Sequence, residues 1–154
     1  MPDIVDKETR SRMMSAIRSK DTKPELIVRR YLHSQGFRYR LHNKRLPGNP
    51  DIVLSRFNAV VLVHGCYWHR HNGCKLAYKP KSRQKFWQKK FQNNVRRDEE
   101  VRRLLRNSGW RVMIIWECAL RNSEIRDRGL EAVAEWIRSD WPSSEFPPAA
   151  GMVT

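Results

Sequence analysis

The sequence predicts a mixed α/β fold in which a sheet is flanked by helices. Runs of apolar and β-branched residues at 51–55, 59–65 and 110–117 have the length and composition of buried strands. Segments with apolar residues at helical spacing precede, separate and follow these runs. Strands and helices interspersed along 154 residues are typical of one α/β domain that is large enough to bury a core.

The first helical segment covers residues 6–19. Met13, Met14 and Ile17 lie on one side of it, but this apolar stripe is thin and its flanks are strongly charged. A segment that buries so little apolar surface is typical of an arm that becomes ordered on a partner. We therefore expect residues 1–20 to form an N-terminal helical arm.

A second helix is predicted over residues 23–35. Thr22 can cap its N-terminus, Glu25 follows three residues later, and Pro24 is tolerated in the first turn. Gly36 can end the helix, because glycine readily adopts the left-handed conformation that follows many helices.

The segments that follow predict one half of the sheet. FRYRLH (37–42) and the loop NKRLPGNP (43–50) lead into DIVLS (51–55) and AVVLVHG (59–65). The short separation of the last two strands is typical of a hairpin. AVVLVHG is apolar enough to be a central strand.

The remaining elements are a long basic helix over residues 83–107, a buried strand over 110–117 and a last helix over 127–138. Gly109 lies beyond the end of the long helix, where glycine is favoured. The apolar stripe of the long helix is Trp87, Phe91, Val95, Val101 and Leu105.

The predicted core therefore spans residues 21–140, and the Pro- and Ser-rich residues 141–154 are predicted to be a flexible tail. No apolar run reaches the roughly 18 residues of a membrane span. The N-terminus has no apolar region typical of a secretory signal. We expect a cytoplasmic protein with reduced thiols and no membrane partner.

The charge of the chain predicts a polyanionic partner. Lysine and arginine total 31 against 16 acidic residues, for a net charge of +15. A protein that neutralises phosphates releases condensed counterions, so a nucleic acid is the favoured partner. A merely basic surface or a ribosome-binding protein is the alternative. Charge alone does not separate DNA from RNA, or an enzyme from a binding protein.

Residues 64–74, HGCYWHRHNGC, collect side chains that bind metals. Cys66, His71 and Cys74 lie in this segment, and Cys118 directly follows the strand 110–117. If that strand lies beside strand 59–65, three thiolates and one imidazole can form a closed, tetrahedral zinc site. The alternatives are free cysteines in the core and a disulfide, which a reducing compartment disfavours.

The same segment contains His64, Tyr67, Trp68 and His69, which this zinc site does not use. A loop held by zinc that presents aromatic rings is suited to insertion into a base stack. Alternatively, the two rings pack over the zinc site.

Two acidic residues are candidates for a catalytic Mg²⁺ site. Asp51 opens a strand, and Glu25 lies in the first turn of the helix 23–35. Carboxylate oxygens suit Mg²⁺, which can support cleavage of a phosphodiester, and His64 or His69 can assist by proton transfer. The alternatives are a capping role for Glu25 and a turn role for Asp51.

Five stretches, taken together and in order, resemble the very short patch repair endonucleases, which nick DNA at T:G mismatches. They are DKETRSRMMSAIRSKDT (6–22), LPGNPDIVL (46–54), HGCYWHRH (64–71), FWQKKFQNNVRRD (86–98) and GWRVMIIWECAL (109–120). The resemblance covers most of residues 6–138. It implies a restriction-endonuclease-like α/β core with a structural zinc.

The resemblance also implies the catalytic residues. Asp51 would bind Mg²⁺ together with the backbone carbonyl of Val63. Glu25 and His69 would hold metal-bound or reacting waters, with His64 beside them. The implied product is a nick on the 5′ side of the mispaired thymine that leaves a 5′-phosphate, as in the repair of deaminated 5-methylcytosine.

The remaining implied residues bind zinc and DNA. The zinc ligands would be Cys66, His71, Cys74 and Cys118. Tyr67 and Trp68 would insert next to the mismatch, and Met14 of the arm would enter from the other groove. From their position on the basic helix, Arg96 and Arg97 are expected to contact DNA phosphates. The implied partner is a DNA duplex with a T:G mismatch, nicked by a monomer.

Two features depart from the family pattern, and a third departs only from the usual nuclease pattern. Tyr67 stands where phenylalanine is expected, and Asn72-Gly73 lengthens the loop before Cys74 by one residue. The usual nuclease pattern E-x-K is absent after the second strand. Val63 and His64 occupy that region, which agrees with the family pattern.

Two other functions remain open from the residues alone. One is a zinc-stabilised DNA-binding module without catalysis. Asp51 argues against this function, because a carboxylate that faces DNA repels the phosphates and would weaken binding. The other is a restriction-type nuclease that cuts matched duplex, which would normally act as a dimer.

Overall fold

The computed structural model describes residues 21–148, which form a five-stranded mixed sheet with helices. The elements are helix α1 (Lys23–Ser34), strands β1 (Arg40–Leu41) and β2 (Ile52–Leu54), a 3-10 turn (Ser55–Phe57), strand β3 (Ala59–His64), helix α2 (Gln84–Asn107), strand β4 (Arg111–Trp116), helices α3 (Glu117–Arg121) and α4 (Ser123–Arg138), and strand β5 (Ser144–Phe146). The predicted mixed α/β fold is confirmed. The predicted arm, including Met14, lies outside the described residues.

The sheet has the order β1-β2-β3-β4-β5. The first three strands are antiparallel, whereas β4 pairs parallel with both β3 and β5. Val63 is opposite Ile115 and His64 is opposite Trp116, so β3 and β4 end at the same edge. The segments that follow these two strands therefore begin side by side.

The alternation of side chains along β3 and β4 divides the core into two layers. Val61 and Ile115 pack on one face, with residues of α1 and α4. Val60 and Ile114 pack on the other face, with Leu105 of α2. The same alternation places Trp116 in the α2 layer, together with Cys66.

The start of α1 is built as its sequence predicts. The Thr22 hydroxyl accepts a hydrogen bond from the Glu25 N–H at 3.4 Å, and Pro24 lies in the first turn. The side chain of Glu25 accepts from the Asp21 N–H at 2.7 Å. Glu25 is thus held at the helix start, where its charge also complements the helix dipole.

The loop before β2 is fixed against α2 by a glycine. Gly48 has φ +72°, and a β-carbon there would lie 2.5 Å from Val101 Cγ1. Only glycine allows both this backbone conformation and this approach. The contact holds the loop that leads to Asp51 against the C-terminal half of α2.

The flexible tail predicted over residues 141–154 is wrong for its first part. Ser144–Phe146 pairs with β4 as an edge strand, and Phe146 packs so closely on Gly129 of α4 that a β-carbon there would be 2.9 Å from the ring. Three residues are too few to show a strand pattern, and the pairing depends on contacts distant in sequence. Residues 149–154 lie outside the described part.

The helices after β4 also differ from the prediction. The short helix α3 was not predicted, and α4 begins at Ser123 rather than at residue 127. Asn122 caps α4 by accepting from the Glu124 N–H at 2.9 Å. Between residues 21 and 148, no helix is long and apolar enough to cross a membrane.

Candidate active site and metal centre

One cavity of about 920 Å³ brings together residues of α1, β3, the loop after β3 and α2. Most of the residues predicted to act in catalysis or DNA binding line this cavity. They are Glu25, Asp51, Val63, His64, Tyr67, Trp68, His69 and Arg97. The sequence predicted these residues separately, and the fold collects them around one space.

Asp51 lies directly before β2, with its carboxylate turned towards β3. Its Oδ2 accepts a hydrogen bond from the Val63 N–H at 2.8 Å. Burial raises the pKa of Asp51 to about 7, the Val63 N–H opposes this rise, and the neighbouring Glu25 adds to it. Two acidic groups that meet in a buried site favour a bound cation.

The Glu25 carboxylate is almost fully buried, and several groups meet at one of its oxygens. Besides the Asp21 N–H, Oε2 accepts from Arg29 Nη2 at 2.8 Å. His42 Nε2 lies 3.4 Å from the same oxygen. Glu25 therefore serves as a helix-capping residue and also lines the cavity, so the two interpretations of its role are compatible.

Two histidines and an aspartate form a second cluster in the cavity. The rings of His64 and His69 are stacked, with centroids 3.9 Å apart and an interplanar angle of 6°. His69 Nδ1 lies 2.7 Å from Asp98 Oδ2. If the His69 Nδ1–H is donated to Asp98, the ring is oriented and Nε2 keeps its lone pair for proton transfer.

His64 is buried beneath this pair. Burial, and then the neighbouring His69, hold the pKa of His64 well below its usual value, so His64 is neutral near pH 7. Among the described residues, no group makes a hydrogen bond with its buried Nδ1. A neutral ring here supports His69 without adding a competing charge.

The four predicted zinc ligands meet at one point. Ligand atoms of Cys66, His71, Cys74 and Cys118 all lie within 4.8 Å of one another, and the cysteines are free thiols. His71 Nδ1 is 3.6 Å from Cys66 Sγ and 3.5 Å from Cys118 Sγ. Tetrahedral zinc with ordinary Zn–S and Zn–N bonds would place such atoms about 3.6 Å apart. The donor set therefore fits zinc.

The parallel pairing of β3 and β4 explains how Cys118 reaches this cluster. Cys66 and Cys118 follow the paired ends of the two strands, and the Cys118 N–H lies 3.3 Å from Cys66 Sγ. Burial raises the pKa of both thiols. Such thiols ionise readily only beside a cation. The additional loop residue is accommodated at Gly73, which has φ +73°, and no atom of the described residues lies within 4 Å of where its β-carbon would be.

Trp116, at the end of β4, lies between the cysteine cluster and the stacked histidines. Its ring stacks on His71 at 4.2 Å and meets His64 edge-on at 5.2 Å. Its Nε1–H donates to Glu145 of β5 at 2.8 Å. One side chain, which β5 holds in place, thus connects the cysteine cluster with the two histidines.

Tyr67 and Trp68 pack on α2. The Tyr67 ring lies 5.1 Å from Trp68 and 5.3 Å from Phe91, and Trp68 lies 6.1 Å from Trp87. The Asn94 side chain donates to the backbone carbonyl of Trp68 at 3.2 Å. The result is an aromatic cluster at the cavity, which also includes Tyr78.

The two arginines predicted to bind DNA lie on different sides of α2. Arg97 lines the active-site cavity. Arg96 lines a separate cavity of about 610 Å³, together with Trp87 and Phe91. Both side chains belong to exposed residues, so each can meet a phosphate without losing an internal partner.

Sequence reasoning missed Asp98, Asn94 and Arg29. A signal for the first two was present. Residues 87, 91, 94, 98, 101 and 105 follow the spacing of one helix face, and all of them are apolar except Asn94 and Asp98. Polar residues inside an apolar stripe indicate a functional role. Arg29 has no comparable signal, because an arginine four residues after a glutamate is common on solvated helices.

Comparison with known proteins agrees with this geometry. A model of the family "DNA mismatch endonuclease Vsr" matches residues 2–76. The chain is 47% identical over 120 residues to the type II nicking enzyme V.XorIIP of Xanthomonas oryzae, covering 78% of this chain and 88% of that enzyme.

Two further relatives match over more of the chain. The type II nicking enzyme V.NmeAIP of Neisseria meningitidis is 46% identical over 138 residues, which cover 90% of this chain and 98% of the relative. The DNA mismatch endonuclease Vsr of Escherichia coli is 42% identical over 148 residues, which cover 95% of this chain and 94% of the relative.

Proposed function

The chain belongs to the family of Vsr DNA mismatch endonucleases, and we propose that it nicks one DNA strand on the 5′ side of the mispaired thymine at T:G mismatches. The product carries a 5′-phosphate, as repair of deaminated 5-methylcytosine requires. The observation that supports this proposal most directly is the single cavity shared by two carboxylates, the His69–Asp98 pair and an aromatic cluster. The mixed sheet serves as a restriction-endonuclease-like core.

Asp51 and the backbone carbonyl of Val63 would hold a catalytic Mg²⁺. When bound, Mg²⁺ stabilises the charge that develops on the scissile phosphate and lowers the pKa of its bound water. The buried position of Asp51 and its Glu25 neighbour fit this ion, because a bound cation would offset the burial and the repulsion between carboxylates that raise the pKa of Asp51. Glu25, which lies beside Asp51, orients a water molecule.

His69 transfers the proton in this reaction. Asp98 fixes the ring through Nδ1, and the stacked His64 limits its rotation. A positioned general acid or base is worth roughly 10² to 10⁴ in rate. His64 remains neutral and acts by holding the ring of His69, while Trp116 supports it from below.

A structural zinc is held by Cys66, His71, Cys74 and Cys118. Four protein ligands leave no open position for a substrate, so this ion stabilises the loop and takes no part in the chemistry. Its effect on the active site is indirect. The ion fixes the loop that contains His69 and the aromatic residues, and it orders the His71 ring on which Trp116 stacks.

Recognition of the mismatch depends on the aromatic residues and the basic surface. Tyr67 and Trp68 insert beside the T:G pair, where stacking is already weakened and separating the bases costs least. Arg96 and Arg97 bind phosphates and add affinity for any duplex. The arm of residues 1–20 contacts the DNA, with Met14 in the opposite groove.

The direct test compares labelled duplexes that differ only in one T:G or T:A pair. With Mg²⁺, we expect one cut in the thymine strand of the T:G duplex, and no cut without a divalent ion. Gel filtration of the complex is expected to give one protein chain per duplex. Cleavage of both strands of the T:A duplex would indicate a restriction-type enzyme, and binding without cleavage a DNA-binding module.

A further inference from the structure

The guanidinium group of Arg29 lies inside a cluster of acidic groups at the edge of the active site. Its Nη2 donates to Glu25 Oε2 at 2.8 Å and also pairs with Asp21 Oδ1. His42 Nε2 lies 3.0 Å from the same nitrogen. Single ligand atoms of Asp21, Glu25 and His42 lie within 4.8 Å of one another, as around a metal ion, but the charge that contacts them is Arg29.

Apart from Asp21, whose side chain is 62% exposed, the members of this cluster are much more buried than an ordinary surface ion pair. The side chains of Glu25 and Arg29 are 4% and 12% exposed, and that of His42 is 13% exposed. Among the described residues, the buried Nε of Arg29 has no hydrogen-bond partner. Burying a guanidinium with an unsatisfied nitrogen is unfavourable. The small stabilisation that a surface ion pair gives does not explain why this charge is buried here.

Helix stability does not supply that explanation. The first turn of α1 is already capped by Thr22, and the Asp21 N–H already satisfies Glu25 Oε2. The backbone of Arg29 is held separately, because the Tyr39 hydroxyl donates to its carbonyl at 3.1 Å. The side chain of Arg29 can therefore change without removing either the helix start or this anchor.

We propose that Arg29 is a positioning residue of the nicking reaction. Its fixed positive charge holds Glu25 by Oε2 and prevents this carboxylate from becoming a direct metal ligand. Glu25 then stays available to a water molecule, while Asp51 alone supplies the carboxylate ligand. The inference deepens the proposed function and rests on it. His42 completes the arrangement by keeping Arg29 Nη2 beside Oε2.

This role predicts opposite changes in rate and in metal affinity. Without the charge of Arg29, Glu25 is free to bind the divalent ion. The ion is also no longer repelled by the guanidinium group. The ion therefore binds more tightly, whereas the water that Glu25 held is lost and the reaction slows. A structural defect would instead weaken metal binding and slow the reaction together.

The test uses Arg29→Met, which keeps much of the side-chain length, and Arg29→Lys, which keeps the charge. Arg30→Met is the matched control, because Arg30 is the exposed neighbour on the same helix and loses the same charge. Three quantities are measured on zinc-loaded protein. They are the single-turnover nicking rate at saturating Mg²⁺, the dissociation constant of Mn²⁺ from its paramagnetic resonance signal without DNA, and the melting temperature.

For Arg29→Met we expect the rate to fall roughly tenfold to hundredfold, as small misplacements of reacting groups do, and Mn²⁺ to bind about threefold more tightly or better. Arg29→Lys and Arg30→Met should keep the Mn²⁺ affinity of the unmodified protein. The inference is overturned if Arg29→Met weakens Mn²⁺ binding or leaves it unchanged, or if Arg29→Lys behaves like Arg29→Met. If the unmodified protein leaves T:G duplex uncut, the proposed function fails, and the Mn²⁺ measurement still decides the effect of Arg29.

Discussion

The carboxyl group of Asp51 lies directly before β2 and accepts a hydrogen bond from the Val63 N–H. Its place before a strand identified it as a metal candidate, with a turn residue as the alternative. The structure adds a buried neighbour, Glu25, and a raised pKa of about 7 whose main cause is burial. A turn residue on the surface would show neither. The environment therefore favours the metal role.

We predict that Asp51→Asn abolishes nicking of T:G duplex and leaves DNA binding intact or stronger. The amide cannot replace a carboxylate as a ligand for a hard cation, and it removes a negative charge that repels phosphate. Single-turnover nicking and a binding isotherm measure the two effects. Asp127→Asn, an exposed residue of α4 outside the cavity, is the control. Nicking near the unmodified rate in Asp51→Asn would place the active site elsewhere.

Asp98 could not be paired with His69 from the sequence, because 29 residues and a long loop separate them. We predict that Asp98→Asn slows nicking by roughly 10² to 10⁴ with little change in DNA affinity. The amide can still reach His69 Nδ1 but favours the tautomer with a proton on Nε2, which removes the base. Glu99→Gln, the exposed neighbour on α2, is the matched control. Equal rates for the two variants would contradict a role of Asp98 in catalysis.

At the scale of elements, the strands and long helices were predictable because their apolar spacing is local. The zinc prediction had to assume that β3 and β4 are neighbours. The sequence could not establish this pairing, since no local pattern determines which strands are neighbours. Strand β5 was missed for a related reason. Its three residues depend on Gly129 and Trp116, which lie far away in the sequence.

The proposed zinc site links the ends of β3 and β4, so loss of the ion is expected to affect an entire edge of the sheet. We predict about one zinc per chain, and loss or weakening of this binding in Cys118→Ser, because removal of one thiolate opens a closed site. The melting temperature and the nicking rate should fall with the zinc content. Metal analysis by mass spectrometry and thermal unfolding are the measurements.

The result that would contradict this prediction is a zinc-free protein with an unchanged melting temperature. Ser108→Ala provides a control for handling, because Ser108 is exposed at the end of α2 and does not belong to the cluster. It should retain the full zinc content.

For the molecule as a whole, the net charge of +15 predicted a nucleic-acid partner before any element was assigned. Charge could not distinguish a mismatch enzyme from any other DNA-binding protein, because phosphates carry no sequence information. The distinction comes from how the fold distributes residues. The aromatic cluster lies at the cavity that contains Asp51 and His69, and basic residues of α2 are placed around it.

This distribution predicts that discrimination and affinity are separable. Trp68→Ala should reduce the preference for T:G over T:A duplex more than it reduces binding to T:A, because insertion is favourable only where the stack is already weak. Arg97→Gln should weaken binding to both duplexes equally and reduce the slope of log affinity against log salt by about one. Fluorescence anisotropy at four or five salt concentrations gives both quantities for each duplex.

The two variants act as controls for each other, since both residues line the same cavity. If Trp68→Ala loses T:G and T:A binding to the same extent, the ring only packs against Trp87 and Tyr67 and does not enter the DNA. If Arg97→Gln changes the T:G preference and leaves the salt slope as it was, Arg97 reads the mismatch and not the phosphates. Trp68→Phe, which keeps an aromatic ring, should retain most of the preference, because stacking depends on the ring face and not on the indole N–H.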